Sequence, residues 1–152
     1  MVIVYFFNKK EVMAGYSKTP LVKKLGIKDD FLIKLYNQPD YYFEIQEGLP
    51  ESTSVLKQSD ATAVDFIHYF ILDLENYFKD LPGLQTQIKQ NGMIWISWDK
   101  TKSKKEGFAN ENLVRQRALS LDLVDLKVCA VDEIWSGLKL VIRKERRKKE
   151  NE

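Results

Sequence analysis

Few side chains in this 152-residue chain could take part in catalysis. Its one histidine, His68, and its one cysteine, Cys129, lie in separate apolar segments, so we predict no metal site and no internal disulfide. Ser17 and Ser97 have no evident histidine partner, which argues against a serine nucleophile. We therefore expect His68 to be a hydrogen-bonded core histidine and Cys129 to be a buried thiol.

The candidates for a ligand or partner surface lie in or beside predicted loops. They are Asn37, Asp40, Trp98, Lys100, Glu133, Trp135 and Ser136. Aromatic side chains in loops can anchor a partner protein or stack on a flat ligand, although both tryptophans would also suit the rim of the core. Glu133 follows Asp132, and two carboxylates could do acid–base work, but a solvated turn is the commoner role of such a pair.

The elements that must position these side chains alternate along the chain. Apolar segments rich in β-branched and aromatic residues predict strands at 31–36, 63–72, 93–98, 126–131 and 138–142, with a short strand at 53–57. Helical spacing and end signals predict helices at 20–25, 41–46, 74–91 and 110–121. A strand is the alternative for 41–46, and Pro82 either kinks the third helix or begins another.

This alternation predicts an α/β domain with a mainly parallel sheet and helices on both faces. Only six residues, 132–137, join the last two strands, which is too few for a crossover helix. Those strands must therefore be antiparallel. The predicted fold is a Rossmann-like sheet that a C-terminal antiparallel strand pair closes.

Composition and charge set further limits. We expect an N-terminal strand and loop at 1–15, one domain at 16–145 and a basic, disordered tail at 146–152. From Arg143 onward six Lys/Arg stand against three Glu, which leaves 24 − 6 = 18 basic and 22 − 3 = 19 acidic residues before it. Nucleic acid is therefore not an expected partner, except through the tail. The single cysteine and the lack of a signal peptide or membrane-length apolar run favour a cytoplasmic protein.

Three strings carry a resemblance to a known family. They are YSKTPLVKKLGI at 16–27, MIWISWDK at 93–100 and LVDLKVCAVDEIWSGLKLVIRKE at 123–145. Together they resemble a family of small bacterial proteins called domain of unknown function 3052, in which proline is common where this chain has Asp99. The predicted sheet also resembles that of class I S-adenosylmethionine methyltransferases. The resemblance implies a methyltransferase-like fold but no settled activity and no catalytic residues.

The loop after the first main strand decides how we interpret this resemblance. Nucleotides and S-adenosylmethionine bind beyond the carboxyl ends of parallel strands, where glycines let the backbone approach the ligand. Here that loop, 37–40, has no glycine, and Pro39 lacks an N–H donor. Glu44 would suit a ribose only if 41–46 were a strand. We therefore expect no cofactor.

Three functions follow from these observations. The first is a non-catalytic domain of unknown oligomeric state that binds a protein or a small molecule. The alternatives are a divergent S-adenosylmethionine-dependent methyltransferase without the glycine loop and a weak nucleic-acid binder that uses the tail.

Overall fold

The computed structural model describes residues 19–149. The predicted opening strand, the loop up to Lys18 and the last three residues of the tail lie outside the described residues. The helices are α1 (Leu21–Leu25), α2 (Tyr42–Ile45), α3 (Leu74–Gln85) and α4 (Glu111–Leu119). The strands are β1 (Leu32–Tyr36), β2 (Ser54–Val55), β3 (Val64–Phe70), β4 (Ile88–Asp99), β5 (Leu123–Ala130) and β6 (Trp135–Ile142). A 3₁₀ turn, Lys144–Arg146, follows β6.

The strands form one sheet in the order β2-β1-β3-β4-β6-β5. The pairs β1–β2, β1–β3 and β3–β4 are parallel, whereas β6 is antiparallel to both β4 and β5. Strand β5 therefore runs in the same direction as β4, and its carboxyl end lies at the same edge of the sheet. The predicted fold class is confirmed, and 41–46 adopts the preferred helix.

Each face of the sheet has its own core. Helices α3 and α4 cover one face, where Ile94, Ile96 and Leu138 of the sheet pack with Tyr77 and Leu81 of α3. Helices α1 and α2 cover the other face, whose buried members include Leu25, Tyr42, Phe66, Phe70 and Trp95. The sheet is thus covered on both sides, which explains why β3 reads as a continuous apolar run.

Local signals place the helix ends. Asp73 Oδ1 accepts a hydrogen bond from Asn76 N at 3.0 Å, which begins α3 as the sequence predicts. Asn110 Oδ1 accepts from Leu113 N at 3.0 Å in the same way at the start of α4. Helix α1 ends where Gly26 takes the left-handed conformation with φ 82°.

Helix α3 continues through Pro82 because another helix satisfies the carbonyl that proline leaves free. Proline has no N–H for the carbonyl four residues earlier, which belongs to Phe78. Arg117 of α4 donates to Phe78 O from Nη2 at 2.7 Å and from Nε at 3.1 Å. The Arg117 guanidinium also lies 5.5 Å from the centroid of the Phe78 ring.

The prediction that helix 74–91 ends at Asn91-Gly92 was wrong. The helix ends at Gln85, and Ile88 begins β4 opposite Val64. The register shifts before Met93, and a Cβ on Gly92 would lie only 3.1 Å from Val64 O. This irregular start breaks the alternation that identifies a strand, so the apolar Ile88 resembled one more turn of helix.

The described part of the basic tail lies against the body. Lys148 N donates to Gln90 Oε1 at 2.8 Å, and Arg147 Nε donates to Ile142 O at 2.8 Å. The tail therefore makes specific contacts as far as Lys148. No helix within residues 19–149 is both long enough and apolar enough to cross a bilayer.

We expect Gly137→Ala to lower the free energy of unfolding by about 1–3 kcal/mol, as overpacking does in cores. An added Cβ would lie 3.0 Å from Trp95 Cε3 and 3.2 Å from Val131 Cγ2. The matched control is Gly83→Ala in α3, where a Cβ meets nothing within 4 Å. That change should stabilise the protein by about 0.4–1 kcal/mol. Urea unfolding of both variants measures the difference, and equal effects would contradict the packing described.

Candidate functional site

Five loops meet at the carboxyl edge of the sheet. They follow β1, β2, β3 and β4 and connect β5 to β6. In open α/β sheets this edge is where ligands bind, because loops there can vary without disturbing the strands. The candidate site is built from the side chains that join these loops.

Asn37 makes the turn after β1. Its φ is 60°, the left-handed region that glycine usually occupies and that asparagine tolerates best among the other residues. Its Nδ2 donates to Phe70 O at 3.1 Å, which ties the end of β1 to the end of β3. The loop thus has the left-handed turn that glycine usually provides, although residue 37 keeps a side chain and Pro39 has no N–H donor.

Asp132 joins three loops. Its Oδ1 accepts from Ile134 N and Trp135 N, both at 2.8 Å, and holds the β5–β6 connection. Its Oδ2 accepts from Tyr41 OH at 2.8 Å, and its main-chain oxygen accepts from Lys100 Nζ at 2.7 Å. The loops after β1, β4 and β5 are therefore fixed to each other by a single residue.

Tyr41 acts as a hydrogen-bond donor in this arrangement. Burial raises the pKa of its phenol, and the hydrogen bond to the Asp132 carboxylate raises it further. The charge of Asp99 acts in the same direction. Tyr41 therefore remains protonated at neutral pH and supplies a proton to a hydrogen bond rather than accepting one as a base.

A cleft of about 690 Å³ opens beyond the ends of β3 and β4. This volume falls within the range of small-molecule sites, about 300–1,000 Å³. Aromatic rings and carboxylates share the lining, which consists of Ile71, Leu72, Asp73, Leu74, Glu75, Phe78, Asp99, Lys102, Gly107, Phe108, Ala109 and Trp135. We call it the β3–β4 cleft.

A second, more polar groove of about 450 Å³ lies between β1, β3 and α3. Its lining comprises Tyr36, Asn37, Gln58, Tyr69, Lys79, Asp80, Gly83, Leu84 and Gln87. Beneath it the buried Lys34 Nζ donates to Gln58 O at 3.0 Å, to Asp60 O at 2.6 Å and to Gln87 Oε1 at 3.0 Å. This lysine fixes the segment after β2, so that Gln58 stands beside Asn37. We call this cavity the β1–α3 groove.

The structure separates the seven sequence candidates. Trp135 lines the cleft, Asn37 lines the groove and Lys100 binds the main chain of Asp132. Asp40 and Glu133 are exposed, and Ser136 is half-buried within β6.

The prediction that Trp98 belongs to a ligand or partner surface was wrong. It is 4% exposed and packs in the core beneath α3 and α4, so it offers no surface to a ligand or partner. Its place on β4 turns its side chain to that core.

Several side chains of the site were not among the seven candidates. They are Tyr41, Asp73, Asp99, Phe108 and Asp132, of which the sequence indicated Asp132 only as the neighbour of Glu133. Asp73, Asp99 and Asp132 lie at or within three residues of the end of a strand, whereas Tyr41 and Phe108 lie deeper in loops and had no local signal. No three His, Cys, Asp or Glu side chains within residues 19–149 are grouped as a metal site requires.

A buried polar chain crosses the face beneath α2. Gln46 Nε2 donates to Tyr42 OH at 2.8 Å, and Tyr42 OH lies 2.8 Å from His68 Nδ1. His68 Nε2 lies 2.7 Å from Ser97 Oγ. The neutral ring of His68 donates from one nitrogen and accepts at the other, so both of its nitrogens have a hydrogen-bond partner.

This series of hydrogen bonds contradicts the prediction for Ser97 and agrees with the prediction for His68. Ser97 does have a histidine partner, contrary to the prediction, because β3 and β4 are neighbours in the sheet. Both side chains are fully buried, so no substrate reaches the serine. His68 is the hydrogen-bonded core histidine that the sequence suggested, and burial lowers its pKa to about 3.

The comparisons with known proteins address the fold. No family model matches the chain, so the resemblance to domain of unknown function 3052 stays a prediction, and no curated protein matches it. A SAM-dependent methyltransferase from Aquifex aeolicus superposes with a TM-score of 0.62 and 15% identity, over 91% of this chain and 100% of that chain. DhpI in complex with SAH superposes with a TM-score of 0.59 and 9% identity, over 92% and 90% of the two chains. At these identities the likeness shows the fold alone, which is that of class I methyltransferases.

Asp132 and Glu133 provide a matched pair for testing the joined loops. Asp132→Ala removes the acceptor of three hydrogen bonds and should lower the free energy of unfolding by about 1–3 kcal/mol. Glu133→Ala changes an exposed side chain and should stay within about 0.5 kcal/mol of the unaltered protein. Urea unfolding measures both, and a similar loss in the two variants would show that Asp132 does not join the loops.

Acid should destabilise the protein through His68. The folded chain keeps this ring neutral down to about pH 3, whereas in the unfolded chain it binds a proton below about pH 6.5. The stability contributed by the neutral ring is therefore complete above pH 6.5 and is lost as pH falls towards 3. The slope of unfolding free energy against pH in this window should be about 1.4 kcal/mol per unit steeper than in His68→Gln. Tyr42→Phe, which keeps the histidine, should retain the steep slope, and an equal slope in His68→Gln would refute the assignment.

Proposed function

We propose that this chain is a divergent S-adenosylmethionine-dependent methyltransferase. The observation that supports this best is the left-handed turn at Asn37, at the end of the first parallel strand and beside an open groove. Glycine gives such a loop both a left-handed turn and close approach of the backbone to the ligand, and Asn37 supplies the turn. The turn supports the proposal, although Pro39 still offers no N–H donor.

The residues present suit the chemical groups of the cofactor. Its adenosine part combines a flat ring with hydroxyl and amine groups, and the β1–α3 groove offers the Tyr36 ring and the side-chain oxygen of Gln58, whose Nε2 donates to Leu35 O. Its methionine part carries net positive charge, and the same groove offers the carboxylate of Asp80. When bound, S-adenosylmethionine supplies a methyl group on a positively charged sulfur.

The chain's own residues then position and shield the acceptor. Trp135 packs edge-on against Phe70 with ring centroids 5.0 Å apart, and Asp132 holds its main chain. A bound acceptor would displace water from the apolar walls, so that the carboxylates in the cleft would act more strongly on charge than they do in bulk water. Tyr41 keeps the loops after β1 and β5 together without changing its own protonation.

A specific contact favours a second candidate, a non-catalytic domain that binds a protein or small molecule in the cleft. The Asn37–Phe70 hydrogen bond crosses the ends of β1 and β3. The gap between the ends of these two strands, which we call the crevice, is where a cofactor would insert. If that bond persists in solution, the crevice is closed, and only the β3–β4 cleft remains for a ligand.

A thermal-shift titration with S-adenosylmethionine and S-adenosylhomocysteine tests the two functions. At 100 times its dissociation constant a ligand stabilises by about 2.7 kcal/mol, which raises Tm by several degrees in a domain of this size. Asn37→Gly keeps the positive φ and frees the crevice, so it should bind at least as tightly. Asn37→Ala strains the turn and should weaken binding.

Gln38→Ala is the control, because it changes an exposed neighbour in the same loop. This variant should show the same ligand-induced rise in Tm as the unaltered protein. If neither adenosyl ligand stabilises the unaltered protein nor Asn37→Gly, the methyltransferase proposal is rejected in favour of the binding domain.

A further inference from the structure

We infer that the β3–β4 cleft takes a positively charged amine carried on an apolar or aromatic body, and that this amine is the methyl acceptor. The inference rests on the proposed function, since it names the substrate class of that site. It comes from the charge, the free oxygens and the exposed rings of the cleft.

The charged side chains that line the β3–β4 cleft favour a positively charged ligand. The lining contains three carboxylates, Asp73, Glu75 and Asp99, and one ammonium, Lys102. Glu75 Oε1 lies 3.2 Å from Lys79 Nζ, so the carboxylates without an ion-pair partner among the described residues are Asp73 and Asp99. Asp73 also occupies the N-terminus of α3, where its Oδ1 accepts from Asn76 N. A carboxylate there offsets the positive end of the helix dipole, so this helix start does not favour a phosphate or another anion.

Two of the carboxylates have an oxygen to spare. Asp99 Oδ1 accepts from Thr101 N at 2.9 Å and from Thr101 Oγ1 at 2.6 Å, and Asp73 Oδ1 accepts from Asn76 N. Neither Oδ2 has a hydrogen-bond partner within residues 19–149. Each can therefore accept from an ammonium N–H while the first oxygen holds its loop or helix in place.

The exposed aromatic rings and the exposed leucine of the cleft favour a substrate whose uncharged part is apolar. Leu72 is 70% exposed, Phe108 43% and Phe78 36%, so these apolar surfaces lie open to solvent around the cleft. An apolar ligand would remove this area from water. Lys102 Nζ lies 5.7 Å from the centroid of the Phe108 ring, so the chain's own ammonium already lies over this ring. The ammonium of a ligand would therefore be held by the carboxylates, and its apolar body by the exposed apolar side chains.

The chemistry of the acceptor balances with these groups. The bound ammonium has no lone pair, so one of its protons would first pass to water along the hydrogen bonds to Asp73 and Asp99. The freed lone pair would form the N–C bond while the C–S bond of the methyl donor breaks with its electron pair left on sulfur, and the product is again an ammonium.

A matched set of small probes tests the inference on the full chain. 2-Phenylethylammonium, 2-phenylethanol and phenylacetate share a ring and differ in charge. Titrations followed by backbone amide NMR should show the ammonium binding about tenfold more tightly than either of the others, with shifts at the cleft residues. Asp99→Asn and Asp73→Ser, which keep the Thr101 and helix-start acceptors, should remove this preference while leaving the alcohol unchanged.

Two further variants keep the result decisive. Glu75→Gln alters an exposed lining carboxylate and should weaken binding of the ammonium probe without changing binding of the alcohol. This variant keeps the test available if the aspartate variants fail to fold. Glu47→Gln makes the same charge change outside the cleft and should have no effect. Equal binding of the three probes, or an equal loss in Glu47→Gln, would overturn the inference.

The adenosyl titration separates this inference from the proposed function. Adenosyl binding without a preference for the ammonium keeps the methyltransferase and rejects the amine substrate. Preference for the ammonium without adenosyl binding keeps a cation site and rejects methyl transfer.

Discussion

The contact between Trp95 and the backbone of Gly137 is the constraint on which this structure depends. Trp95 is fully buried, and its ring occupies the space that a side chain at 137 would need. Its Nε1 donates to Leu25 O at 2.9 Å, which holds the end of α1 against the sheet. Because Gly137 has no Cβ, the Trp95 ring can lie over β6 while the β4–β6 ladder continues to Asp99 and Trp135. Trp135, two residues before Gly137, thus reaches the carboxyl edge beside Phe70.

Side-chain hydrogen bonds, rather than the sheet ladder, then give that edge its shape. Asp132 fixes the loops after β1, β4 and β5, and Asn37 fixes the ends of β1 and β3. Polar groups thus hold in place walls that are largely apolar, which is the usual arrangement of a preformed small-molecule site. A cleft built this way loses little entropy when a ligand binds, because its loops are already ordered.

Most of the fold could be predicted because its signals are local. Asp73, Asn110 and Gly26 mark helix ends within a few residues of sequence, and β-branched runs mark the strands. The start of β4 could not, since the irregularity before Met93 depends on pairing with β3. The candidate site was harder to predict than the fold. Asp132 and Glu133 are equivalent in sequence, and only the fold brings Tyr41 to one of them; likewise His68 and Ser97 meet only when β3 and β4 pair.

The choice of asparagine at position 37 bears on both functions. Glycine would give the left-handed turn with no side chain, leaving the loop mobile and the crevice open. Asparagine gives the same turn and adds a bond from β1 to β3 that a ligand must either accept or displace. A net hydrogen bond of this kind contributes only about 0.5–1.5 kcal/mol. A nucleoside bound with micromolar affinity gains about 8 kcal/mol, so the bond can tune affinity but cannot by itself exclude a cofactor. The missing glycine is therefore compatible with a methyltransferase.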